Sequence, residues 1–165
     1  MRRKDREVTD HNRIDEILAT AKVLHLGLVD EGRPYVVPLH YGYEWEDDGK
    51  LVLWCHGARA GRKIDVIKTG GPAFVELECD VEDISGGEVA CDYGSAYASV
   101  MGDAHVHLVE DVAEKVHGLE VLMRTQTGRS FTIPEARAKA VAVLRIEMEN
   151  ISAKSRPKMG GDRPA

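Results

Sequence analysis

Three short runs of strand-forming residues follow one another, separated each time by a tight turn. The runs cover residues 23–29, 34–44 and 51–56, and β-branched, leucine and aromatic side chains dominate them. The turns between them, DEGR and WEDDGK, are polar and contain glycine. Connections this short join antiparallel neighbours, because parallel strands need a crossover of about a dozen residues or more. The pattern therefore predicts an antiparallel meander.

The rest of the chain alternates between helical and strand patterns. Helices are predicted after Thr9 or Asp10, from Arg62, from Val112 to near Gly128, and after Pro134. Further strands are predicted at 72–80, 95–111 (with a bulge at Gly102) and 140–150, and the polar, glycine-rich stretch 81–88 predicts a flexible loop. Six or so strands with helices at the crossovers indicate a mainly β fold with flanking helices. The expected architecture is a closed or nearly closed antiparallel barrel.

The chain has the size and composition of one globular domain. Its 165 residues fit a single core, and 43% of them are hydrophobic. The apolar pattern fades near the C-terminus, where the sequence becomes KSRPKMGGDRPA. We therefore expect a single domain over residues 1–154 and a flexible tail over 155–165.

Charge and cysteine usage exclude several classes of protein. A net charge of −6 argues against general nucleic-acid binding, which needs a basic surface. The three cysteines form no C-x-x-C motif, so we expect a reducing compartment. The charged N-terminus, MRRKDREVTD, does not resemble a signal peptide, and no apolar run approaches the roughly 20 residues that span a bilayer. A cytoplasmic protein that contacts neither membranes nor nucleic acid is expected.

The stretch HGARAGRK, residues 56–63, points to an anion site. A strand runs into a loop of small residues, and a helix then opens on Gly61, Arg62 and Lys63. Core packing does not require two adjacent cations there, but a bound phosphate would explain them: the guanidinium of Arg62 offers a planar fork of donors and Lys63 a compact charge. The alternative is a solvated helix start. No P-loop and no G-x-G-x-x-G fingerprint occurs, which disfavours nucleoside triphosphates and a Rossmann NAD site.

Histidines supply the other candidate groups. His56 could position or protonate a substrate, or simply close the strand end, and His40 is a weaker candidate on a neighbouring strand. His105 and His107 share one strand face and could hold a metal, but a solvated face is the preferred interpretation, and no metal is expected. Cys55 and Cys91 are interpreted as small buried hydrophobic residues rather than nucleophiles.

In order and spacing, five segments resemble the pyridoxamine-phosphate-oxidase-like FMN-binding split barrels, and most closely the nitroimidazole-resistance (Nim) proteins among them. The segments are MRRKDREVTD at 1–10, PYVVPLHYGYE at 34–44, HGARAGRKIDVIK at 56–68, YASVMGDAHV at 97–106 and RIEMENISAK at 145–154. The resemblance implies an antiparallel split β-barrel and a homodimer with FMN at its interface. There are departures: the family often has a tryptophan and a basic residue where this chain has Tyr93 and Ala96, and a glycine where it has Ala153.

The resemblance also implies a set of cofactor-binding residues. Arg62 and Lys63 match the residues that hold the FMN phosphate, and His56 matches a histidine beside the flavin. The segment along the isoalloxazine ring and the strand that completes the pocket correspond to Val36, Val37, Pro38, Leu39, Tyr97, Ser99 and Val100. Cys55 and Gly61, on either side of the loop, belong to the expected site as well.

The expected function is that of an FMN-dependent oxidoreductase. It would reduce a small electron-poor molecule such as a nitroimidazole or nitroaromatic compound, with His56 as the catalytic residue. Two alternatives stay open: a flavin-binding protein without turnover, and a haem-binding or haem-degrading barrel of the same fold.

Overall fold

A computed structural model describes residues 3–157 of the chain, and over that range it contains seven strands and four α-helices. The strands are β1 Glu7–Val8, β2 Val23–Asp30, β3 Arg33–Trp45, β4 Leu51–Gly57, β5 Ala73–Ile84, β6 Gly94–Leu108 and β7 Ala142–Arg156. The helices are α1 His11–Thr20, α2 Arg62–Lys68, α3 Val112–Thr127 and α4 Glu135–Lys139. Two short 3-10 helices, Lys4–Arg6 and Ala90–Asp92, complete the regular structure of this range.

Six of the strands close into an antiparallel ring. Their order is β7-β4-β3-β2-β5-β6, and β6 pairs with β7 to close it, while β1 lies beside the far part of β7. The meander predicted from the sequence is confirmed, since β2, β3 and β4 are consecutive neighbours. The predicted mainly β, antiparallel barrel is confirmed as well. Because β3 and β6 are three strands apart in either direction, they lie on opposite sides of the ring.

Alternating side chains fill the inside of the ring. In β2, Leu24, Leu26 and Leu28 point inward and are almost completely buried. Helix α1 adds Ile17 and Leu18 to the same core, and α2 adds Ile64, Val66 and Ile67. Removing these apolar surfaces from water, at about 25 cal/mol per Å², is the main force that holds the ring and the two helices together.

The first helix begins where the sequence predicts. The side chain of Asp10 accepts hydrogen bonds from the backbone N–H groups of Asn12 at 2.8 Å and Arg13 at 3.4 Å, so Asp10 is the N-cap. The buried hydroxyl of Tyr41, on β3, donates to the carbonyl of Leu18 at 2.7 Å and ties the helix to the barrel.

Helix α3 lies on the outer face of β3 and β4 at very short range. A Cβ added to Gly42 would come within 2.3 Å of Leu122 Cα, and one added to Gly118 within 2.3 Å of the Trp54 ring. The glycines therefore let the helix and the sheet touch. A second small core forms between them from Val52, Trp54, Val109, Val121 and Val143.

Three strand ends differ from the sequence prediction. Strand β6 ends at Leu108 and not at residue 111. The flexible loop predicted at 81–88 is wrong for its first part, because β5 continues to Ile84 and residues 82–84 pair with 94–96 after a bulge. Strand β7 continues to Arg156 instead of ending at 150, since its last residues pair with β6. It thus includes the first two residues of the expected tail, and residues 158–165 lie outside the described range. No helix within residues 3–157 is long and apolar enough to cross a membrane.

Candidate functional site

The outer face of β3 carries an uncovered apolar strip. Because side chains alternate along a strand, Val36, Pro38 and His40 face outward and are exposed. Val36 is 58% exposed, which is unusual for so large an apolar side chain in a strand of a closed barrel. Val37 and Leu39 face the other way and pack against the main core. The segment expected to lie along a flavin ring therefore presents only Val36 and Pro38 as side-chain contacts on this face.

The loop after β4 leads into α2 through a glycine that the geometry requires. Gly61 is the N-cap residue and has φ of 116°, a conformation that side chains other than glycine rarely adopt. This places the two predicted cations, Arg62 and Lys63, at the first two positions of the helix. The predicted start of α2 is confirmed.

Arg62 has partners that the sequence does not indicate. Its Nε donates to Asp30 Oδ2 at 2.7 Å, and its guanidinium carbon lies 4.3 Å from the centre of the Tyr35 ring. Both partners flank the β2–β3 turn. Arg62 is more than half exposed, so the guanidinium keeps donors that face solvent. A phosphate at this position would share Arg62 with Asp30.

Lys63 differs from Arg62 because its charge is not paired with a carboxylate of the described residues. No carboxylate within residues 3–157 approaches its ammonium closely enough to form a salt bridge, and the side chain is half-buried. A Cβ added to Gly57 would come within 2.8 Å of Lys63 Nζ, so the lysine reaches back over the end of β4. Its charge is positioned beside His56 and is free to bind an anion.

The two histidines beside Lys63 face outward from adjacent strands. The register of β3 and β4, in which Tyr41 pairs with Cys55, places His40 opposite His56 at its next step. Partial desolvation, followed by the charges of Lys63 and His40, lowers the pKa of His56, so its imidazole is neutral near pH 7. His40 Nδ1 lies 3.0 Å from the carbonyl of Lys22, so this nitrogen carries the proton and donates.

The predicted residues of β6 lie elsewhere. Tyr97 and Ser99 are on the strand opposite β3 in the ring. Ser99 is buried within the subunit, and Val100 points into the core. One chain therefore places Val36 and Pro38 between Arg62 at one end and Lys63 with His56 at the other, but it does not bring Tyr97 or Ser99 to them.

Cys55 also points into the barrel. It is completely buried, and burial raises the pKa of its thiol to about 12. Any contribution of Val37, Leu39, Cys55 or Val100 to a ligand on the outer surface has to come from the main chain. The assignment of these four residues to the cofactor site stays a prediction, and it now concerns only contacts made by their backbone atoms.

The structure also tests the predictions for the cysteines and for His105 and His107. Cys55 is buried as expected, but the same prediction is wrong for Cys91, which is exposed within the short 3-10 helix Ala90–Asp92. His105 and His107 are exposed, and each faces a glutamate of β7. Within residues 3–157, no three His, Cys, Asp or Glu side chains are grouped so as to hold a metal ion.

Comparison with known proteins identifies the class. The family model for pyridoxamine 5'-phosphate oxidase matches residues 10–155, so the chain belongs to this family. A proposed 5-nitroimidazole antibiotic resistance protein from Bacteroides thetaiotaomicron is 27% identical, with a TM-score of 0.75 over 90% of this chain and 86% of that one.

Two further solved structures share the fold at lower identity. The FAD and haem binding protein from Mycobacterium smegmatis is 19% identical, with a TM-score of 0.77 over 96% of this chain and 77% of that one. The flavocytochrome from Azotobacter vinelandii is 20% identical, with a TM-score of 0.74 over 95% and 72%. None of the curated protein sequences matches this chain.

Proposed function

We propose that the protein binds FMN and uses it to reduce a small electron-poor molecule, such as a nitroimidazole or nitroaromatic compound. One observation carries the proposal: in a member of this family, the exposed apolar strip on β3 lies between Arg62, which contacts Tyr35, and His56, which Lys63 approaches. An apolar surface next to cations suits a ligand with a flat ring and an anionic end.

The residues present fit FMN. Lys63 and the free donors of Arg62 would hold the phosphate, because ionised donors make the stronger hydrogen bonds to phosphate oxygens. Val36 and Pro38 would lie against one face of the ring system. When bound, the flavin supplies the hydride or electrons, and the chain supplies binding and orientation.

The positions of β3 and β6 support a homodimer. Tyr97 and Ser99 lie on the opposite side of the barrel from Val36 and Lys63, so a ligand on β3 meets these β6 residues only in a second copy. A two-fold arrangement would place β6 of one subunit over β3 of the other and enclose FMN between them. The three cysteines form no disulfide, which suits the cytoplasm we propose for this dimer.

We assign His56 the role of substrate anchor. Its lowered pKa keeps the imidazole neutral near pH 7, so it offers one donor and one acceptor to a polar group beside the ring. Lys63 disfavours the imidazolium form. Hydrogen bonding by His56 is thus better supported than delivery of a proton from imidazolium.

The substrate class draws on the Bacteroides protein, whose name refers to 5-nitroimidazole resistance. The haem-containing relatives share the fold alone, so haem is not part of the proposal. The test is anaerobic stopped-flow mixing of the photoreduced, FMN-loaded protein with 2-nitroimidazole. Flavin reoxidation that saturates with nitroimidazole and slows at least tenfold in His56→Ala is expected. Reoxidation no faster than that of free reduced FMN would leave a flavin-binding protein without this activity.

A further inference from the structure

A histidine and a glutamate form a cross-strand pair on the outer surface, one strand away from the apolar strip. His25 Nδ1 lies 3.0 Å from Glu76 Oε2, which joins β2 to β5. On its other side His25 is directly opposite Pro38 of β3. Directly opposite residues have Cβ atoms about 5 Å apart, so the imidazole borders the surface formed by Val36 and Pro38.

The neighbouring row of the same three strands forms a shallow trough. Gly27 lies between Val36 on β3 and Phe74 on β5, and it has no side chain to fill the space. Phe74 is 44% exposed, so both walls of the trough are apolar and open to solvent. A flat ring fits such a floor, and the His25–Glu76 pair lies along one edge of it.

The chemistry of the pair leaves one nitrogen available. A carboxylate acts as the acceptor, so His25 Nδ1 carries a proton and Nε2 points to other partners. Within residues 3–157, His25 has no second hydrogen-bond partner. Burial raises the pKa of Glu76, the hydrogen bond from His25 lowers it, and the neighbouring carboxylate of Glu78 raises it further, so the pKa of Glu76 is raised on balance.

Stability does not account for the pair. His25 is 41% exposed, and exposed ion pairs contribute little to folding. The same fold contains a useful comparison in His105 and Glu149, which face each other between β6 and β7 at 3.4 Å and are both more than half exposed. That second pair joins β6 to β7, on the other side of β5 from the trough between Val36 and Phe74.

We propose that His25, oriented by Glu76, is the hydrogen-bonding anchor for the polar edge of a flat heteroaromatic ring that lies in the trough between Val36 and Phe74. The ring is either that of the flavin or that of a substrate bound with it, and the chemistry is the same for both. This anchor presupposes the flavin site proposed above. His25 touches the ring, and Glu76 is a positioning residue that acts through His25.

The experiment compares two matched pairs of variants. His25→Leu and Glu76→Ala remove the anchor and its support, His25→Gln keeps a hydrogen-bonding group, and His105→Leu and Glu149→Ala make the same changes in the comparison pair. Circular dichroism and thermal melting establish that each variant is folded. Fluorescence titration of apo-protein then gives the affinities for FMN and for riboflavin, which lacks the phosphate. Perturbation of the oxidised flavin spectrum gives the affinity of the FMN-loaded protein for 2-nitroimidazole.

Each source of the ring has its own result. If the flavin is the ligand, His25→Leu weakens FMN and riboflavin binding alike by about tenfold, the effect of one hydrogen bond to a charged or polar group. If the substrate is the ligand, flavin binding is unchanged and 2-nitroimidazole binding weakens by that factor. In either case Glu76→Ala weakens the same binding as His25→Leu does, and His25→Gln restores most of the affinity. The comparison variants bind both ligands as tightly as the wild-type protein.

The outcomes that overturn the anchor are distinct from failure of the flavin site. Wild-type binding of flavin with no difference between the His25 and His105 variants refutes the anchor alone. A wild-type protein that binds neither FMN nor riboflavin refutes the proposed function, and the anchor with it. If His25→Leu instead changes the monomer–dimer equilibrium in sedimentation velocity and leaves ring binding intact, the trough belongs to a contact between two copies.

Discussion

Replacing Lys63 by alanine should weaken FMN binding far more than replacing Lys68, at the other end of the same helix. Both changes remove one positive charge from α2, but only Lys63 reaches back over Gly57 to the site. A hydrogen bond to an ionised group contributes about 1.5–3 kcal/mol, which corresponds to roughly 10- to 150-fold in the dissociation constant. Lys68 acts only at long range through solvent, so we expect its loss to change the affinity by no more than about twofold.

The assay is fluorescence titration of apo-protein with FMN at two salt concentrations. Salt should weaken wild-type binding only moderately, because a charge in direct contact with the phosphate is screened less than a distant one. Riboflavin serves as the ligand control, since without a phosphate it should not distinguish Lys63→Ala from wild type. Equal effects of Lys63→Ala and Lys68→Ala on FMN would show that net charge, and not a phosphate contact, governs binding, and would refute the assignment of Lys63.

Three further outcomes can be measured without substrate. Gly42→Ala forces the new methyl group into the backbone of α3, and overpacking of about 1–3 kcal/mol should lower the melting temperature by several degrees, whereas Gly71→Ala, which meets only ordinary contacts, should not lower it. In an NMR titration His56 should have a pKa below about 6.5. The contribution of the neutral imidazole to the free energy of unfolding is then complete above about pH 6.5 and is lost as the pH falls, because the folded protein resists charging His56. Lys63→Ala should raise the pKa of His56, and an unchanged pKa would count against the proximity of the two groups. In the native protein only the thiol of Cys91 should react rapidly with a disulfide reagent at pH 8, and rapid reaction of the two buried thiols would contradict the packing of the barrel.

The sequence predicted the local elements better than it predicted their lengths. The meander, the cap at Asp10 and the helix start at Gly61 all depend on residues close together in the chain, and all are confirmed. The sequence predicts ends of β5 and β7 that come too early, because polar residues interrupt the last stretch of each strand. Those residues are strands because they pair with β6, and pairing between distant segments leaves little trace in local composition.

In the candidate site, too, residues close together in the sequence were predicted and pairs between distant residues were not. Arg62, Lys63 and His56 are neighbours in sequence, so one motif was enough to group them. The pairing of Arg62 with Asp30 and that of His25 with Glu76 each join residues more than thirty positions apart. Neither pair could be found before the register of the barrel was known.

The separation of β3 from β6 is also a property of the closed ring. The resemblance to flavin-binding split barrels implied that both would face a cofactor, but the sequence did not show that they lie on opposite sides of one subunit. That arrangement makes the dimer part of the proposed site.

The most direct measurement is the absorbance spectrum of the purified protein before and after incubation with FMN and desalting. We predict oxidised-flavin bands that survive desalting in the wild-type protein and are lost in an Arg62→Ala/Lys63→Ala variant that remains folded. A folded wild-type protein that emerges colourless from the column would contradict the flavin site, and bands that persist in the double variant would place the cofactor away from the start of α2.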